Sequence, residues 1–194
     1  YLQVPREWLG EQFLIEAEKL KNKSEKLYKH EYLGEVTGTG GSVFDNIEER
    51  TITDEEISQF DHLKHGIDFG FAVDPLAFLC GHYDKKHEIL YLFDEVYQQK
   101  LSNKQAYGRI KDKVSNRRIT ADSAEPKSIS ELRGYGLNIY GAKKGPDSVE
   151  YGMKWLQSLS KIVIDKKRCP NTYKEFVKYE YAKNKDGEFI SEYP

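Results

Sequence analysis

Three apolar runs joined by short polar turns occupy the middle of this 194-residue chain and constrain its fold more than any other feature. His65 to Gly70 and Leu76 to Tyr83 are separated by Asp74-Pro75, where proline interrupts the ladder and predicts a bulge or tight turn. Asp84-Lys85-Lys86-His87 makes the next turn, and Ile89 to Phe93 with Val96-Tyr97 forms the third run. Runs this close in sequence are expected to pair as an antiparallel meander. After Tyr97 the apolar period lengthens. Residues 102–115 open with Ser102 and Gln105 at capping-box spacing and read as a helix. Arg118 to Ala121 reads as a short strand ending at Asp122, Pro126 to about Arg133 as a helix closed by Gly134 and Gly136, and Leu137 to Tyr140 as another strand. Pro146 to Leu159 reads as a helix with Val149, Met153, Trp155, Leu156 and Leu159 largely on one side. Lys161 to Ile164 is a strand ending at Asp165, and Thr172 to Lys178 a last helix leading into a hairpin that turns at Asp186-Gly187. The expected class is α/β, a mixed sheet flanked by helices.

Ahead of the meander, Trp8, Leu9, Phe13, Leu14, Ala17 and Leu20 recur at helical steps within residues 6–33, and the glycines of Gly34 to Asn46 then stop the helix and read as a linker. Residues 1–60 carry 7 Lys+Arg against 13 Asp+Glu, whereas residues 61–194 carry 23 against 19. The near-zero total of −2 excludes a histone-like binder and an acidic tail protein but leaves room for a local basic face. The expected division is a lead-in over 1–60 and a domain over 61–194. With 38% hydrophobic and 13% aromatic residues the chain can bury a core. No window approaches the roughly 18 apolar residues of a membrane span, so a soluble, intracellular protein with no membrane partner is expected. Cys80 and Cys169 stand outside any CxxC pair and read as buried or incidental thiols. The chain starts without Met and stops at Pro194, as a piece of a larger protein would.

The element order is that of ribonuclease H-like folds, in which the fourth strand lies beside the first and parallel to it. Asp68 interrupts the first apolar strand, where a carboxylate is costly to desolvate unless a cation or a hydrogen-bond partner compensates it. Asp122 ends the fourth strand, so it can approach Asp68 across 54 positions of sequence. Two converging carboxylates repel each other unless a cation lies between them, and hard oxygen donors favour Mg²⁺ or Mn²⁺ over Zn²⁺. Paired cations roughly 3.5–4 Å apart can activate water and stabilise the leaving oxygen in phosphodiester cleavage. Glu95 and Asp165 are further acidic candidates, with solvated strand ends as the plainer reading of both. Glu95 is placed in a strand adjacent to the first. For nucleic acid, the candidates are Lys143-Lys144 before Pro146, Arg133, and the basic stretch Lys100, Lys104, Arg109, Lys111, Lys113, Arg117 and Arg118, which could equally be a solvated helix face. His62 and His65 read as surface or structural. No GxxxxGK[ST] phosphate loop occurs.

Five collinear blocks carry a resemblance: GIDFGFAVDPLAF (66–78), YLFDEVY (91–97), ITADSAEPKSISELRGYG (119–136), GAKKGPDSVEYGMKWL (141–156) and VIDKKRCPNTYKEFVKY (163–179). Together they resemble the nuclease domain of tailed-bacteriophage terminase large subunits, from about residue 32 to the end. The resemblance implies a ribonuclease H-like fold and a metal-dependent endonuclease that cuts concatemeric viral double-stranded DNA during genome packaging, with two Mg²⁺ or Mn²⁺ ions. Asp68 matches the first acidic ligand and Asp122 the second; the third is implied in a later segment, near an Asn-His pair that does not occur before Pro194. It also implies that residues 1–60 derive from a preceding ATPase and linker region. The implied partners are that ATPase domain, the small terminase subunit and the portal, in the host cytoplasm and transiently at the procapsid. A non-catalytic DNA- or portal-docking module and a cellular resolvase of the same fold stay open as alternatives.

Overall fold

A computed structural model describes residues 10–23, 25–33, 41–185 and 189–190, and the chain forms two compact units, 1–41 with 182–190 and 42–181 with 191–194. The first unit contains helices α1 (Glu11–Lys23) and α2 (Glu25–Leu33). Among its described residues the buried hydrophobic side chains are Ala17 and Tyr28, and the Phe13 ring meets Tyr32 edge-on at 5.2 Å. Trp8 and Leu9 lie outside the described residues, as do the turn residues Asp186-Gly187. Lys183 and Phe189 form an antiparallel bridge.

The second unit runs β1 (Ile47–Glu49), α3 (Asp54–Ser58), β2 (Leu63–Asp68), β3 (Leu76–Asp84), β4 (Ile89–Gln98), α4 (Asn103–Val114), β5 (Ile119–Ala121), α5 (Pro126–Gly134), β6 (Ile139–Gly141), α6 (Ser148–Ser158), β7 (Lys161–Ile164) and α7 (Pro170–Lys178). One seven-stranded sheet holds them in the order β1-β7-β4-β3-β2-β5-β6. The meander is antiparallel as expected, β2 to β3 and β3 to β4, while β5 and β6 extend it in parallel from β2, and β7 and β1 in parallel from β4. The turn between β2 and β3 doubles back so tightly that a Cβ on Gly70 would lie 2.4 Å from the Asp74 and Pro75 carbonyl oxygens. Only glycine fits there.

Two apolar clusters lie on opposite faces of the sheet. Ile67, Phe78, Ile119 and Ile139 pack against Ile110 of α4 and Leu132 of α5. Leu92, Ile162 and Ile164 pack with Phe44, Leu159 and Cys169. Strand alternation separates them: within β7, Val163 joins the first cluster and its neighbours Ile162 and Ile164 the second. The expected cap of α4 is realised, with the Ser102 hydroxyl accepting from the Gln105 amide and the Gln105 side chain accepting from the Ser102 amide.

Three expectations are corrected. The boundary between lead-in and domain falls after residue 41 and not at 60, because β1 pairs with β7 and the Asn46 amide donates to the Leu156 and Leu159 carbonyls at 2.9 Å each. Residues 42–46 are thus packed chain and not linker; 34–40 lie outside the described residues. In α6, Val149 is 67% exposed, so the apolar side is narrower than expected and centres on Met153 and Leu156. No helix among the described residues is long and apolar enough to cross a membrane.

Cys80 and Cys169 are buried, and loss of solvation pushes the Cys80 thiol up to about 12 and the Cys169 thiol higher still. The native protein at pH 8 is therefore expected to leave both thiols unreactive toward an aromatic disulfide reagent, and urea to release two equivalents, read by absorbance.

Candidate active site

The parallel register of β2 and β5 pairs His65 with Ile119, Gly66 with Thr120 and Ile67 with Ala121. The Asp122 amide then donates to the Ile67 carbonyl at 3.1 Å, which makes Asp68 and Asp122 the next residues side by side. Adjacent strands lie about 4.8 Å apart, and in-register side chains share a face. Ile67 and Ala121 are buried on the face covered by α4 and α5, so Asp68 and Asp122 project from the other, at the carboxyl ends of two parallel strands. Open α/β sheets bind ligands at this end. Lys64, Gly66 and Thr120 are the exposed positions of these strands on the same face.

The two carboxylates are held differently. Asp68 is exposed, and among the described residues its carboxylate has no hydrogen-bond or ion-pair partner. Asp122 Oδ1 accepts from the Ala124 amide at 3.0 Å and meets the Lys144 Nζ at 2.7 Å. The Lys144 ammonium foremost, and the Ala124 amide after it, hold the Asp122 carboxyl below the usual carboxylate range. Lys144 arrives there because the β5–β6 ladder runs one residue past its strands, with the Ala142 amide donating to the Ala121 carbonyl at 2.8 Å. The loop after β6 therefore passes beside the end of β5. An oxygen-only pair in which one member already carries an ammonium at contact distance has the donor chemistry of a divalent cation site. Among the described residues no group of three or more acidic, His or Cys side chains gathers around it.

Glu95 is not part of this pair. It lies in β4, which is separated from β2 by β3 and is not its neighbour. Its carboxylate accepts from the Asn171 amide (3.0 Å), Asn171 Nδ2 (2.7 Å), the Thr172 amide (2.9 Å) and Thr172 Oγ1 (2.7 Å). Four bonds fill the acceptor sites of a carboxylate, and they cap the positive end of α7. Asp94, on the opposite face, pairs with Lys113 of α4 at 2.7 Å. Asp165 also departs from its expected role as a solvated strand end. It is 1% exposed, with Oδ2 accepting from the Ile52 amide (2.8 Å) and Oδ1 from the Lys167 and Arg168 amides (3.0 and 3.2 Å). This side chain ties the chain around Ile52 to the end of β7.

The basic candidates divide by face. Helix α4 packs on the face opposite the carboxylates, so Lys104, Arg109, Lys111 and Lys113 are not beside them. Arg117 and Arg118, past the end of that helix, border a cavity of about 700 Å³ on the carboxylate face with Lys64, Gly66 and Thr120. Arg133 donates from Nε and Nη2 to the Ile139 carbonyl (3.2 and 2.8 Å) and lies 4.8 Å from the Tyr140 ring, which Arg118 approaches at 4.9 Å. It braces the edge strand β6. Lys143 is exposed and borders a second cavity of about 550 Å³ with Tyr151 and Lys154. His65 is buried beside Phe78 and burial lowers its pKa, whereas His62 is exposed and paired with Asp61 at 2.8 Å. Sequence reasoning missed Asn171 and Thr172, whose signal was an Asn-Thr pair just inside a proline-led helix lacking a cap of its own. It also missed the Lys144–Asp122 pair, although two consecutive parallel strands bring their ends together.

Residues 68–193 match the family described as the terminase RNase H-like domain. Over 195 aligned residues, the large terminase subunit of Bacillus phage SPP1 is 47% identical, and the match covers 98% of this chain and 46% of that protein. The chain thus spans less than half the length of that relative. The solved large-terminase nuclease domain of SPP1 with bound Mn superposes with a TM-score of 0.72 at 46% identity, covering 78% of this chain and 88% of that one. The nuclease domain of the P22 large terminase shares the fold, with a TM-score of 0.59 at 18% identity over 79% of this chain and 85% of that one.

The contrast between saturated and unpartnered carboxylates predicts different stability effects. Glu95→Gln and Asp165→Asn are each expected to cost about 1–3 kcal/mol, because each puts an amide against hydrogen-bond donors. Asp68→Asn, a change at an exposed side chain, is expected to stay within about 0.5 kcal/mol. Urea denaturation of the three variants measures the difference.

Proposed function

The chain belongs to the terminase RNase H-like domain family, and on that premise we propose that it is an Mg²⁺- or Mn²⁺-dependent endonuclease that cuts concatemeric double-stranded viral DNA during genome packaging. The observation that carries this reading is the in-register pair Asp68 and Asp122 on the open face of the sheet. Mn in the SPP1 nuclease domain supports the metal class. Asp68 and Asp122 would hold the divalent ions, proposed as two, which would supply Lewis acidity toward the phosphate and a more acidic water.

The residues around the pair do the rest. Asp68 has its carboxylate open to solvent, which leaves its oxygens available as ligands. Asp122 is oriented by the Ala124 amide. Lys143 and Lys144, in the loop after β6, are the proposed phosphate contacts nearest the pair, and Arg117, Arg118 and Lys64 extend positive charge along the same face. Arg133 contributes by holding β6 and not by direct contact. Within the whole packaging machine the reading extends to an ATPase domain on the side of residues 1–41, the small terminase subunit and the portal, in the host cytoplasm and transiently at the procapsid. A third acidic ligand is assigned by family likeness to a later segment.

Incubation with supercoiled plasmid and Mn²⁺ is expected to give nicked and linear DNA, which chelation abolishes. Asp68→Asn and Asp122→Asn are each expected to lower the rate by at least about 10²-fold, the scale of losing a transition-state charge stabiliser. Cleavage that survives both chelation and Asp68→Asn contradicts the proposal. Duplex binding without cleavage at any Mn²⁺ concentration favours the docking-module reading.

A further inference from the structure

We propose that Lys144 is a displaceable counter-ion of Asp122: its ammonium gives way when a divalent cation takes that carboxylate, and passes to a phosphate of the DNA. This rests on the metal reading of the Asp68–Asp122 pair, and it goes beyond that reading by assigning one side chain two alternative partners. Four observations carry it. Lys144 Nζ sits 2.7 Å from Asp122 Oδ1, at one of the two carboxylates proposed as ligands, while the in-register neighbour Asp68 has no partner among the described residues. The pair is open to solvent, with 51% of the Lys144 side chain and 30% of the Asp122 side chain exposed, and ion pairs of this kind add little to stability. Exchange is therefore cheap. The lysine is carried on the loop between β6 and α6, which is anchored at its start by the Ala142–Ala121 bond. A four-carbon stem lets the ammonium move while the loop stays in place.

Electrostatics then forces the exchange. A divalent ion on Asp122 repels an ammonium that was in contact with the same carboxylate. The anion that arrives with the substrate is a phosphate, for which lysine acts as a point-charge partner. Metal loading and grip on DNA are in this way coupled through one side chain. Lys143 provides the matched comparison, since it is next to Lys144 on the same loop, carries the same charge, and makes no ion pair among the described residues.

Calorimetric Mn²⁺ titrations of wild type, Lys144→Met, Lys143→Met and Asp122→Asn test the first half. Lys144→Met is expected to bind Mn²⁺ about two- to five-fold more tightly, the equivalent of an exposed ion pair, and Lys143→Met to match wild type. Equal tightening in both lysine variants, or none in Lys144→Met, overturns the proposal. Absence of any Mn²⁺ binding that Asp122→Asn removes would instead overturn the metal reading itself.

The second half needs no metal. Duplex affinity is measured in chelator for wild type, Lys144→Met, Asp122→Asn and the double variant. Asp122→Asn releases Lys144, so Lys144→Met is expected to weaken binding, and to lower the salt slope by about one, more in that background than in wild type. The same loss in both backgrounds makes Lys144 a permanent phosphate contact. No loss in either removes it from the DNA surface. Both outcomes contradict the exchange.

Discussion

The parallel register between β2 and β5 pairs Ile67 with Ala121 and so sets the two following aspartates side by side. A strand has a period of two, so a slip of one residue in either strand would turn its aspartate, Asp68 or Asp122, into the core and its neighbour, Ile67 or Ala121, out of it. Full burial of a large aliphatic side chain is worth about 1.5–3 kcal/mol, and Ile67, Ile119 and Ile139 are all buried on the α4–α5 face. The carboxylates sit at the open end of the sheet, where water screens their mutual repulsion. Core burial decides the register, and the two acids are carried into adjacency by it. Lys144 relieves what repulsion remains.

Four acidic residues of the sheet unit show how one chemical type is sorted between structure and function. Asp165 and Glu95 have their oxygens filled by amide and hydroxyl donors, and each joins segments distant in sequence. Asp122 accepts one amide and one ammonium, and Asp68 accepts nothing among the described residues. Saturated carboxylates hold the fold. The under-coordinated pair on the open face is where a ligand of opposite charge has something to bind.

Much of this was legible in the sequence because the signals are local. The meander, the Ser102–Gln105 cap and the two strand-ending aspartates follow from apolar alternation, short turns and cap spacing. The acidic pair needed one further step, the inference that the fourth strand lies beside the first, and the β2–β5 pairing bears that step out. What was not legible depends on distant partners. Glu95 read as a site acid because its four donors sit 76 and 77 positions away, and Asp165 read as solvated because the Ile52 amide is 113 positions away. The strand β1 has three residues, Ile-Glu-Glu, too few to show a period, and it exists through its pairing with β7. The domain boundary was misplaced for the same reason. Lys144 was assigned to phosphate from its loop position, and the Asp122 partner emerges only when the ends of β5 and β6 are seen together.

Asp68 and Asp122 are proposed to form one cation site. Anomalous diffraction from crystals soaked in Mn²⁺ tests it most directly. A manganese peak is expected within coordination distance of both carboxylates, and is expected to be lost in Asp68→Asn crystals. Manganese bound elsewhere, with no density between the two aspartates, would contradict it.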